Sequence, residues 1–448
     1  MQKDTCQEQI FNNYIQQIDN YFRKNETKTN NFQIGLEVEH FLVKKSDLTS
    51  VTFPEEKGIA DIFELLTEKG WQVCEWADDR ILCLAKGEDE LNLEPGGQVE
   101  FSFGPKNSIA GIKEAYIKIY RDLLPILDEF DYTLLHLGYH PKSKISDLPL
   151  LPKSRYSQMY HHFKSRGKYA HHMMKGTAST QISIDYINEK DFHKKFKVAN
   201  WLSPILYALL DNSPIFEGEI ANNWVLRYQI WSRCDDDRCG IIKDTFEYKN
   251  YSYQDYARYI LNLPAIYDPQ KPDKYLGEMT FADLFKQKNK EELSQEDLEH
   301  ILSFAFNDVR AKKYLEIRMA DSIPYPLFFG YLALIKGIFY KKENLNYYCN
   351  IIEDLNPEDI CRCFSSLPEK GVETNYYRNL TIRDWGQDII ARAKSGLQNP
   401  ENIVRLEQLE DYLTDNLPIR KNFSGKDINY NNLIYADIKP NLGSDFNC

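Results

Sequence analysis

Glu94, Gln98 and Glu100 fall in one short run, "NLEPGGQVEFSFGP" (92–105), with a Pro-Gly-Gly turn between the first and the other two. Three more runs share its alternation. In "IGLEVEHFLV" (34–43), Glu37 and Glu39 alternate with Leu36 and Val38. In "STQISIDY" (179–186), Gln181, Ser183 and Asp185 alternate with Ile182, Ile184 and Tyr186. In "KYLEIRMAD" (313–321), Glu316 and Arg318 alternate with Leu315 and Ile317. Side chains alternate across a strand, so each run has one polar and one apolar face. Taken singly, each also fits a half-exposed strand whose outer face meets water. Two features set them apart as a group. Their polar positions hold Glu, Gln and Arg, where solvated strands favour Thr and Lys. Clustered carboxylates also repel one another unless a cation sits between them. Hard divalent cations take oxygen ligands and pair with substrate phosphates. A sheet bringing Glu37, Glu39, Glu94, Glu100 and Glu316 to one face would hold two or more Mg²⁺ ions, with Mn²⁺ as a substitute. The Pro95-Gly96-Gly97 turn bends Glu94 back beside Gln98 and Glu100.

Arginines complete the constellation. Arg155, Arg227, Arg238, Arg310 and Arg318 are candidate clamps, because a guanidinium binds carboxylate and phosphate in a bidentate way. Any one of them also fits a surface salt bridge. No GxxxxGK[ST] or GxGxxG run is present, so a bound nucleotide would be held by metals and arginines. The histidine pairs 161–162 and 171–172 lack metal-motif spacing and read as surface or structural.

The elements that must position these residues are mixed. Apolar periodicity predicts helices over 10–25, 58–70, 108–130, 203–218 and 327–340, and again within 380–415. Strands are predicted over 32–43 and the other alternating runs. Residues 266–300 read as a polar surface excursion. Helices mixed with non-adjacent strands argue for an α+β fold. The chain divides into an N-terminal amphipathic helix (1–30), one catalytic domain (31–415) and an irregular Asn-rich tail (416–448).

Composition narrows the function. With 42% hydrophobic residues in 448, a large core is within reach. The net charge of −12 argues against a nucleic-acid or anionic-membrane binder. The most apolar run is too short for a membrane span and contains Lys336. The nine cysteines have no framework spacing, which points to reduced thiols in a cytoplasmic protein. The N-terminus has neither the basic region nor the apolar run of a signal peptide.

Read in order, "IGLEVEHF", "LEPGGQVEFS", "LPKSRY", "TASTQISID", "DNSPIFEG", "RYQIWSRCDDDRCG" and "VRAKKYLEIRMAD" resemble glutamate–cysteine ligase of the plant and bacterial type. The likeness extends from about residue 30 to about 415, including "RDWGQDIIARAKSGL". It implies a glutamine synthetase-like fold, a curved antiparallel sheet forming a carboxylate-lined funnel with helices outside. It also implies ATP-dependent joining of the glutamate γ-carboxylate to the cysteine amine through an acyl phosphate, with Mg²⁺ neutralising the phosphates, by a monomer or homodimer. Carried over, the five glutamates are metal ligands. Gln98, Gln181, Arg155, Arg227 and Trp231 handle substrate, while Arg238, Arg310 and Arg318 face the phosphates, the last two as catalytic residues. The family's "LSGAP" is "FSFGP" here, and its "GADGGP" is "MADSIPYP" (319–326). Phe101, Phe103 and Ser322–Pro326 are therefore expected to narrow the acceptor pocket and favour small amino acids. A ligase using another amine, a metal-dependent phosphoesterase and a non-catalytic relative are the alternatives.

Overall fold

The computed structural model describes residues 2–28 and 31–415, so the predicted tail lies outside the described residues. Its centre is a nine-stranded antiparallel sheet. In chain order the strands are β1 (Ile34–Lys44), β2 (Gln72–Ala77), β3 (Arg80–Lys86), β4 (Asp89–Leu93), β5 (Val99–Lys106), β6 (Tyr132–Leu135), β7 (Thr180–Ile184), β8 (Val309–Ala311) and β9 (Leu315–Ile317). The spatial order is β8-β9-β7-β1-β5-β4-β3-β2, with β6 on the C-terminal half of β1. The longest strand, β1, is thus the spine, flanked by β5 and β7 at its N-terminal half.

The apolar face is built as the alternation demands. Leu36, Val38, Phe101, Ile182, Leu315 and Ile317 are buried. Helix α3 (Ile109–Glu129) packs behind β5, its start fixed by Ser108, whose hydroxyl accepts from the Gly111 N–H at 3.1 Å. Tyr116 and Tyr120 of α3 lie 5.7 and 5.8 Å from the Phe101 ring. The helix Leu327–Phe339 covers the same side, as its apolar composition predicts. The N-terminal helix α1 (Gln2–Lys24) sends Tyr14, Ile18 and Phe22 into the common core.

Two expectations are corrected here. The helix predicted over 203–218 begins earlier and stops sooner, at Glu189–Leu209. Asn188 caps its start, and after Leu209 a short hairpin forms around Glu217 and Gly218. Cys74 and Cys83, expected as free thiols, form a disulfide between β2 and β3. The turn at Asp78 and Asp79, both with positive φ, folds the hairpin and brings the Cα atoms of Cys74 and Cys83 to 5.3 Å. Among the described residues, no helix is long and apolar enough to cross a membrane.

Candidate active site

The polar face of the sheet opens into a cavity of about 710 Å³. Its other walls come from helix α4 (Ser154–Phe163), helix α5 (Ala170–Gly176) and the hairpin formed by Pro264–Asp268 and Lys271–Thr280. Glu37, Glu39, Glu94, Glu100, Gln98, Gln181, Arg155, Trp231, Arg310 and Arg318 all border it.

Strand register explains the meeting. Glu39 stands directly opposite Glu100, and Glu37 sits between Ser102 and Gln181. Glu316 lies opposite both Ser183 and Arg310. Like charges facing across a ladder are destabilising, so the Glu39–Glu100 pair is an arrangement that favours a cation. Glu94 joins from the turn, where the Gly97 N–H donates to its carbonyl at 2.8 Å and its own N–H donates to the Gln98 carbonyl at 2.9 Å. Gly97 takes φ +87°, and a Cβ on Gly96 would lie 2.4 Å from the Lys175 carbonyl oxygen. Glycine at both positions is therefore a steric requirement of the turn.

Hydrogen bonding divides the carboxylates into two kinds. Glu316 is fully buried and bound by Arg310 through Nε–Oε2 and Nη2–Oε1 contacts of 2.5 and 3.0 Å. Arg318 adds a contact of 3.2 Å. Although buried, the Glu316 carboxyl is held well below its ordinary range by Arg310, Lys312 and Arg318. The others meet neutral donors or none. Glu39 accepts from the Ser179 N–H and hydroxyl and from Gln181 at 2.8–2.9 Å. Glu100 accepts from Ser102 at 2.7 Å. Burial pushes Glu39 up to about 7, with Glu94 adding to the rise and Arg227 opposing it. Burial, then Glu37, Glu94 and Glu39, push Glu100 well above the ordinary range. Glu37 is also raised by burial, and next by Glu316.

These residues fit a hard divalent cation by the chemistry of the donor set: anionic oxygens that raise one another's proton affinity where no cation lies between them. Among the described residues, no three His, Cys, Asp or Glu side chains converge into a ready-made metal cage. That suits Mg²⁺, which takes one or two carboxylates and fills its remaining positions with water and substrate phosphate.

Several of the residues named from sequence make hydrogen bonds within the fold. Arg238 is fully buried and does not border the cavity. It pairs with Asp235 at 2.8 Å and donates to the carbonyls of Phe304 and Pro264, so its donors are used inside the fold. Arg227 lies behind Trp231, with its guanidinium carbon 5.1 Å from the ring, and holds the carbonyls of Arg318 and Met319. The Gln98 amide accepts from the Gly96 N–H and donates to the carbonyls of Met174 and Thr177, fixing the turn against α5. Arg155 sits at the rim, 5.1 Å from the Phe304 ring, and donates to the Ser303 carbonyl. Phe101 and Phe103 point into the core under α3 and do not narrow the cavity. Tyr325 likewise stacks on Tyr116 at 5.4 Å, behind the sheet.

The structure also supplies residues that sequence reasoning missed. Tyr156, Met159, Met173, Met174, Tyr267 and Phe306 give the cavity an apolar wall. Ser179 fixes Glu39. Lys312 joins the cation end and carried a sequence signal, since 310, 312, 314 and 316 alternate in step.

A mixed α/β fold whose antiparallel sheet sets carboxylates and guanidinium groups around one cavity is the frame of the site. A model of glutamate–cysteine ligase family 2 (GCS2) matches residues 33–394, and the chain belongs to that family. Glutamate–cysteine ligase B, chloroplastic, of Oryza sativa subsp. japonica is 29% identical over 377 residues, covering 82% of this chain and 74% of the relative. The chloroplastic glutamate–cysteine ligase of Arabidopsis thaliana is 29% identical over 378 residues, covering 82% and 70%. Among solved structures, a glutamate–cysteine ligase from Francisella tularensis in complex with AMP shares the fold. It has a TM-score of 0.56 over 94% of this chain and 90% of the other, at 11% identity.

Proposed function

We propose that this protein is a glutamate–cysteine ligase, joining the glutamate γ-carboxylate to the cysteine amine with ATP as phosphoryl donor, to supply γ-glutamylcysteine for glutathione-type thiols. The sheet is read as the funnel of a glutamine synthetase-like fold. One observation carries the proposal: Glu39 and Glu100 face each other on neighbouring strands, beside Glu37 and Glu94, in a cavity that Arg310, Arg318 and Lys312 also line.

Glu37, Glu39, Glu94 and Glu100 would hold Mg²⁺, which when bound neutralises phosphate charge. The chain's own residues do the positioning. Ser179 and Gln181 keep Glu39 aimed at the cavity. Arg310 holds Glu316 ionised and still. Arg318, tied to Gln181 and Glu316, presents a fixed positive charge at the cavity wall. The apolar wall excludes water from the acyl phosphate before the amine attacks. Catalysis of this kind is electrostatic and positional.

The test is ADP release with ATP, Mg²⁺ and glutamate against a panel of amino acids and small amines. Release that requires both glutamate and cysteine supports the proposal. A higher kcat/KM for a different amine would move the chain to a neighbouring ligase activity. Release of phosphate without any amino acid would identify a phosphohydrolase.

A further inference from the structure

Arg310, Arg318 and Lys312 all border the cavity, but their commitments differ. Every nitrogen of the Arg310 guanidinium is in use: Nε and Nη2 on Glu316, Nη1 on the carbonyls of Ser303 and Ala305 at 3.3 and 3.4 Å. Arg318 spends Nη1 on Gln181 and Glu316. Lys313 pairs with Glu299 at 2.6 Å and does not border the cavity. Lys312 borders the cavity and, among the described residues, makes no ion pair; its Nζ stands 5.9 Å from the centre of the Tyr314 ring. The tight turn after β8, in which the Lys312 N–H donates to the Tyr314 carbonyl at 2.8 Å, accompanies this separation of the two lysines. Burial, then Arg310, lowers the Lys312 ammonium from its ordinary range, while Glu316 and Glu37 act against the fall.

We propose that Lys312 is a catalytic residue, the movable cation that follows the shifting charge as the phosphoryl group transfers. This rests on the ligase activity proposed above. In the first step a γ-carboxylate oxygen of glutamate forms a bond to the terminal phosphorus of ATP. The bond from that phosphorus to the bridging oxygen breaks, ADP leaves with the electron pair, and no proton need move. Charge therefore shifts from the terminal oxygens toward the bridging oxygen. Arg310, held along both edges, cannot track that shift, and Arg318 is anchored through Nη1 to Gln181 and Glu316. An ammonium on a four-carbon stem with three rotatable donors can. A substrate carboxylate, by contrast, matches the planar fork of an arginine, so the lysine is assigned to the phosphoryl group.

The full chain is compared with Lys312→Met, Lys312→Arg and the neighbouring control Lys313→Met, by ADP release and by calorimetric binding of ATP and ADP with Mg²⁺. Lys312→Met should lower kcat about 10²-fold or more, the loss seen when one donor to a developing charge is removed. The KM values for glutamate and cysteine should stay within about twofold, because the ground-state binding of these two substrates is untouched. Lys312→Met should weaken ATP and leave ADP binding unchanged, since the two differ in the terminal phosphoryl group. Lys312→Arg should recover part of the rate, and Lys313→Met should match the wild type. Lys312→Gln replaces the Met variant should that variant fail to fold. A kcat for a folded charge-removing variant within about threefold of wild type overturns the assignment, as does equal weakening of ATP and ADP. A wild-type chain without glutamate-dependent ADP release overturns the ligase reading and the lysine with it. An active wild type with an indifferent Lys312→Met removes the lysine alone.

Discussion

Replacing Glu39 by Gln should change how stability depends on pH, with a sign that the site fixes. In the folded chain Glu39 is pushed up to about 7, chiefly by burial and then by Glu94, from an ordinary value of 4.5. A shift of that size corresponds to roughly 3 kcal/mol between the protonated and ionised forms. The folded state binds this proton more tightly than the unfolded chain. Its stabilising contribution is therefore full below the unfolded value and is lost as pH rises through about 7. Urea unfolding of wild type and Glu39→Gln at pH 5.5, 7 and 8 reads the effect as a difference, to which Glu100 contributes because the Glu39 charge raises it. Without Mg²⁺, the wild type should lose roughly 2 kcal/mol relative to the variant across this range. Mg²⁺ should restore stability most at pH 8, where no proton need leave first, and least at pH 5.5. A wild-type stability that rises with pH relative to Glu39→Gln, or a Mg²⁺ increment equal at pH 5.5 and 8, would refute the reasoning.

Three further outcomes are expected. Arg310→Met strips Glu316 of its bidentate partner in a fully buried place, so the urea midpoint should fall by the equivalent of about 3–5 kcal/mol. Glu37→Gln should leave the circular dichroism spectrum and melting temperature intact while abolishing glutamate-dependent ADP release; near-normal release at saturating Mg²⁺ would remove Glu37 from the metal face. Phe101→Leu should cost about 1 kcal/mol of stability and leave the ranking of acceptor amines unchanged, since the ring packs under α3; a changed ranking in the amine panel would place it at the cavity after all.

The strand faces were legible in the sequence because alternation is local. Glu37 and Glu39 against Leu36 and Val38 need no knowledge of the partner strand, and the Pro95-Gly96-Gly97 turn announces its own geometry. Register was not legible. That Glu39 meets Glu100, or that Arg310 meets Glu316, depends on how separate strands slide into place. The arginines show the same limit. Arg238 and Arg318 look alike in sequence, yet one closes an internal pair with Asp235 while the other borders the cavity. Phe101 and Phe103 alternate with Glu100 and Ser102, which by itself puts both rings on the apolar face; that spacing is a better guide to them than the motif comparison that sets them in the acceptor pocket. The Cys74–Cys83 bridge escaped because pairing depends on the hairpin turn at Asp78 and Asp79.

The antiparallel ladder of β1 also edits the fold. If β1 slipped by one residue against β5 and β7, Glu37 and Glu39 would turn into the layer occupied by Tyr116 and Phe101, and Leu36 and Val38 would face the cavity. Each carboxylate so misplaced would face a desolvation penalty of several kcal/mol. A neutral polar face would tolerate the slip far better. The charges that prepare this sheet for cations thus act earlier in the life of the molecule, rejecting misaligned pairings before any substrate arrives.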